Sequence, residues 1–104
     1  MAIVSREVKE GMQVQGEDEQ IAYSITTTPW GSDPSSVVVV VKDERADFAD
    51  VTDTVTSGSA SANGDIITTP IIKNLAAGRT YRVEVKFASG ANVFECYFRI
   101  RAER

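Results

Sequence analysis

The chain has 104 residues, a net charge of −4 and one cysteine, Cys96. That length suits one domain with its own core, and a lone cysteine leaves packing to hold the fold without an intramolecular disulfide. The acidic balance argues against a nucleic-acid partner held by phosphate neutralisation, and no cofactor motif is present.

The chain opens with MAIVSREVKEG, where charge enters at Arg6 and Glu7 before any apolar core of signal-peptide length. No export signal is read there, and a cytoplasmic location is expected. Residues 1–19 are read as either a first strand, at 3–8, or an extended arm, ending in the acid-rich turn GEDE. Further along, apolar residues alternate with period two in segments rich in Val, Ile, Thr, Tyr and Phe, and none keeps helical spacing. The remaining expected strands are 20–27, 36–42, 50–55, 65–72, 80–87 and 93–101, about seven in all. Turn-like breaks separate them, among them PWGSDPSS after the second strand, the loop SGSASANG, and SGAN before the last. The segment DERADFADVTD at 43–53 is the least regular and is open to a helical turn before a short edge strand.

The strand at 36–42 carries valine at positions 37–41. Five apolar residues fall far short of the ~20 needed to cross a bilayer as a helix, so a membrane partner is not expected. With Val37, Val39 and Val41 turned to the core, Val38 and Val40 face outward. Pro70 cannot donate a ladder hydrogen bond, which predicts that the strand at 65–72 lies at a sheet edge. The last two strands dock in register through a two-residue turn at Gly90-Ala91, placing Lys86 opposite Glu95, Glu84 opposite Tyr97 and Arg82 opposite Arg99.

The segment LAAGRTYRVEV, with Leu75, Gly78 and Tyr81 at its key positions, has the pattern L-x-x-G-x-x-Y-x-V-x-V. It resembles the tyrosine corner of fibronectin type III and related immunoglobulin-like domains. The resemblance covers about residues 20–101 and implies an all-β, two-sheet antiparallel sandwich. In it Leu75 fills the base of the core, Gly78 allows the reversal, and the Tyr81 hydroxyl satisfies a loop carbonyl. Ala77 stands where the family usually has proline, and Trp30 falls in a loop rather than on the second strand. The stretch QGEDEQIAYSITTTPWGSDPSS, the valine strand, DVTDTV, GDIITTP and YRVEVKF together resemble small proteins encoded beside virion structural genes of tailed phages and prophages. That resemblance implies a head, connector or tail component, located in the virion after assembly.

For chemistry the residues offer little. Histidine is absent, which removes Ser-His-Asp and Cys-His catalysis and the commonest metal ligand. Cys96 lies on the inward face between Phe94 and Phe98, where a thiol behaves as a small hydrophobe. Asp47, Asp50 and Asp53 recur every third residue and are candidate calcium ligands, but there is no D-x-D-x-D-G loop, and a solvated acidic loop is the preferred reading. Trp30 is either an exposed contact or a lid over the end of the core, with the lid preferred. The outer face offers Val38, Val40, Arg82, Glu84, Tyr97 and Arg99 as an apolar and aromatic patch in a charged frame, suited to a protein partner or a second copy. The competing reading lets arginine and lysine stems cover the valines. The first 53 residues hold 4 Lys/Arg against 11 Asp/Glu, the rest 7 against 4, an asymmetry suited to head-to-tail contact between copies or to a solvated surface alone. These features predict a non-catalytic structural or interaction module. The alternative is a surface or carbohydrate-binding module using the loops around Trp30 and Asp47–Asp53.

Overall fold

In the computed structural model, residues 6–8 and 10–104 are described; the strand expected at 3–8 lies mostly outside them. Among the described residues the chain forms strands β1 (Gln13–Gly16), β2 (Ser24–Thr26), β3 (Ser35–Asp43), β4 (Ala49–Asp50), β5 (Thr56–Ser57), β6 (Ser61–Asn63), β7 (Ile66–Thr68), β8 (Ile71–Ile72), β9 (Thr80–Ser89) and β10 (Asn92–Glu103). One turn of helix, α1 (Thr52–Val55), and a 3-10 turn at Glu44–Ala46 complete the order. The protein is all-β, built from several sheets whose strands pair antiparallel except at β1, which departs from the all-antiparallel arrangement expected.

The β9–β10 hairpin is its spine. Gly90, with φ of +59°, supplies the left-handed first position of the two-residue turn. Glu95 then stands opposite Lys86, Tyr97 opposite Glu84 and Arg99 opposite Arg82, as the alternation of side chains requires. On the far side of β9, β3 pairs antiparallel, with Val40 opposite Glu84 and Lys42 opposite Arg82. The strand order is β1-β10-β9-β3-β4. At one edge β1 runs parallel to β10, Gln13 beside Ile100 and Gly16 beside Glu103. Upstream, Glu7 makes a parallel bridge to Tyr97, whose N–H donates to the Arg6 carbonyl while Val8 N–H donates to the Tyr97 carbonyl.

The smaller sheets cover the inner face. β2, β7 and β6 lie in that order, and β5 pairs with β8. β8 in turn bridges to Ile21, so the course of 66–72 runs between β2 on one side and β5 and β6 on the other. Pro70 is therefore not at a sheet edge. The strand breaks there instead: Thr69 N–H donates to the Tyr23 carbonyl and the Thr69 hydroxyl accepts from Tyr23 N–H, so pairing survives around a residue that cannot donate. The SGSASANG stretch, expected as a loop, contributes β6, because backbone pairing alone carries a strand whose Ser, Ala and Asn side chains face solvent. The strand expected at 50–55 divides into β4 and α1. Asp50 Oδ1 accepts from both the N–H and the hydroxyl of Thr52, turning the chain, and Thr52 Oγ1 accepts from Val41 N–H, holding the turn against β3.

One core joins these layers. From the large sheet come Val39, Val41, Tyr81, Val83, Val85, Phe87, Cys96, Phe98 and Ile100, and from the small sheets Ile25, Ile67 and Ile72. Each large side chain contributes about 1.5–3 kcal/mol by leaving water. Leu75 closes the base of this core, and Gly78 reverses the chain with φ of +85°. Tyr81 is buried, and its hydroxyl accepts a 2.9 Å hydrogen bond from Ala76 N–H. The expected partner was a carbonyl. The reversal instead turns an amide toward the phenol, and the hydroxyl's lone pairs serve it equally well.

Candidate interaction surface

The outer face of β3, β9 and β10 is a grid fixed by register. From the hairpin end its rows read Glu95–Lys86–Val38, Tyr97–Glu84–Val40 and Arg99–Arg82–Lys42. The sequence-predicted patch of Val38, Val40, Arg82, Glu84, Tyr97 and Arg99 is thus contiguous. Val38 is 52% exposed, and Val93, one row nearer the hairpin, 61%.

Its polar members are braced within the molecule. The Arg82 guanidinium sits 3.8 Å from the Tyr97 ring centroid, a cation–π stack. Arg82 Nε lies 3.1 Å from Glu84 Oε2, close enough for ion pairing though not aligned as a hydrogen bond. Arg99 makes a two-pronged contact with Glu44, Nε and Nη2 each donating over 2.8 Å to a carboxylate oxygen. That hydrogen bonding, with the Glu44 charge behind it, raises the Arg99 pKa further. The facing arginines are therefore not left in repulsion, since each has its own acid. Arg82 stacks on Tyr97, while of the two outward valines Val38 is exposed and Val40 half-buried.

The remaining sequence candidates lie elsewhere. Asp47, exposed and in the left-handed region with φ of +54°, follows the 3-10 turn, while Asp50 is committed to Thr52, which lowers its pKa. Among the described residues no three His, Cys, Asp or Glu side chains gather where a metal would fit, and Asp47, Asp50 and Asp53 do not form one site. Trp30 is half-buried against the core. It borders a cleft of about 460 Å3 between β2 and the side chains of Val8, Glu10 and Gln13, with Tyr23, Ile25 and Phe98 in its lining. Trp30 precedes β3 and Asp47–Asp53 follows it. Asp50 pairs beside Lys42 and Thr52 lies against Val41, at the end of β3 away from Ser35. Among the described residues no helix is long and apolar enough to cross a membrane.

Gln15 had no signal in the sequence reading. It is fully buried on β1, donating through Nε2 to the carbonyls of Glu19 (2.9 Å) and Ile72 (2.8 Å) and accepting through Oε1 from the Tyr23 hydroxyl (2.7 Å). No strand is expected at 13–16, where the chain approaches the GEDE turn; β1 forms there with Gln15 inward and Val14 exposed. Comparison with protein-family models, curated proteins and solved structures finds no match to this chain.

Proposed function

We propose that this protein is a non-catalytic interaction module whose contact surface is the outer face of the five-stranded sheet. It works by self-association or by docking within a larger assembly, of the virion kind that its sequence resembles. The supporting observation is the braced patch beside the exposed Val38 and Val93. Arg82 is stacked on Tyr97 and Arg99 is clamped by Glu44, so both arginines and the tyrosine are ordered before a partner arrives. Ordering such side chains during binding costs about 0.5–1.5 kcal/mol each, and aromatic and arginine side chains are the ones that anchor interfaces.

We further read the layers as an immunoglobulin-like sandwich of the fibronectin type III kind. The strand order β1-β10-β9-β3-β4 packed on β2-β7-β6, and the Tyr81 corner with its bond to Ala76, support that reading.

Sedimentation velocity across a hundredfold range of concentration tests the surface. The native chain is expected to form a reversible oligomer that Val40→Lys and Val38→Glu abolish without lowering the melting temperature. A native chain that stays monomeric throughout would remove self-association and leave docking to a different protein. An oligomer insensitive to both substitutions would place the contact elsewhere.

A further inference from the structure

Among the described residues no strand pairs with the edge of β2 away from β7, and the chemistry of that edge specifies its occupant. Tyr23 and Thr27 direct their backbone groups toward the neighbouring strand: the Tyr23 carbonyl accepts from Thr69 N–H and Thr27 N–H donates to the Asp65 carbonyl, both at 2.8 Å. Backbone direction alternates along a strand, so the N–H and C=O of Ser24 and Thr26 point the opposite way. There they meet no backbone or side-chain partner among the described residues. Both residues are exposed, and Ser24 and Thr26 line the cleft beside Trp30. The run IAYSITTT carries neither charge nor proline, the features that blunt exposed edges, and Pro29 comes only after β2 has ended.

We infer that this edge is a second binding site, which takes an extended segment of a partner polypeptide as an added strand on β2. The partner's backbone would pair with Ser24 and Thr26, and one of its apolar side chains would enter the cleft against Tyr23, Ile25, Trp30 and Phe98. Only another extended backbone presents donors and acceptors at the two-residue repeat that these groups require. The surroundings set the partner's charge. Glu10 is the one charged side chain among the described residues lining the cleft, and Asp33 and Asp65 meet where the strand ends, Asp33 N–H donating to Asp65 Oδ1. Lysine or arginine flanking the apolar residue is the complementary chemistry. The site lies on the sheet opposite the braced arginines and does not depend on the outer face.

The probe is a random seven-residue peptide library, displayed and selected against the protein, with recovered peptides synthesised for titration and amide hydrogen exchange. Peptides with an apolar centre and basic flanks are expected, and they should slow exchange at the Ser24 and Thr26 amides. Thr26→Pro deletes an N–H that the native sheet does not use and should weaken binding at least about tenfold while preserving the melting temperature. If that variant is unfolded, Trp30→Ala supplies the test through loss of the apolar contact. Val40→Lys should leave peptide affinity unchanged, which separates this site from the outer face. Recovery of no binding peptide, equal affinity for Thr26→Pro, or protection at β3 and β10 instead of β2 would each overturn the inference. So would protection of Ser24 and Thr26 that grows with protein concentration alone, since a second copy would then be the occupant. A glycan that perturbs Trp30 without protecting either amide would overturn it as well.

Discussion

Cys96 shows what burial does to a single group. Its thiol lies inside the core, and loss of hydration pushes its pKa from 9.0 to about 11, against a smaller pull from the Arg6 charge. Below about pH 9 the thiol is protonated in both states and contributes no pH dependence. Between 9 and 11 the unfolded chain releases a proton that the folded chain keeps, so stability falls as pH rises, by up to about 3 kcal/mol. Urea unfolding at pH 8 and pH 10.5 should show this loss, and Cys96→Val should reduce it. The Tyr23 phenol, raised to about 12 by burial and by Glu19, extends the decline to higher pH. The inward position of Cys96 was legible because it alternates with phenylalanines, and the roles of Leu75, Gly78 and Tyr81 were legible because a corner needs those shapes at that spacing. The direction of the Tyr81 hydrogen bond was not, since a hydroxyl both donates and accepts and only the local chain path decides.

At the scale of elements, β1 is joined to the opposite layer through the hydrogen bonds of Gln15. Replacing Gln15 with leucine keeps the volume but strands the Tyr23 hydroxyl and the Glu19 carbonyl. A loss of about 2–4 kcal/mol in denaturant unfolding is expected. Tyr23→Phe made in the Gln15→Leu background should cost less than it does alone, because the hydroxyl it removes has already lost its acceptor. The β9–β10 register could be deduced from sequence: eight inward positions and a glycine turn admit one parity. β1 could not. A parallel pairing between distant segments leaves no hairpin signal, and a buried glutamine reverses the usual sense of alternation. The division of 50–55 into strand and helix was equally hidden, because it depends on Thr52 finding Val41 across space.

Across the whole molecule, the opposed charges of the two halves of the chain meet internally. Asp43 and Glu44, from the acidic half, pair with Arg79 and Arg99 from the basic half at 2.7 and 2.8 Å. The asymmetry counted along the sequence is thus partly consumed in closing the fold, and sequence order alone could not say whether those charges would meet within one copy or between two. Because the arginines are partly exposed, each pair is worth at most about 1 kcal/mol and is screened by salt. Raising sodium chloride from 0.05 to about 1 M should lower the unfolding free energy slightly, and Glu44→Gln should make that dependence shallower.

The parallel course of β1 beside β10 sets the response of the fold to tension. Pulling Arg6 and Glu103 in opposite directions slides the two strands along each other, so the hydrogen bonds between them share the load and yield together. An antiparallel hairpin such as β9–β10, pulled at its open end, would unzip one bond at a time. The seam that seals the sheet edge is also its clasp against stretching.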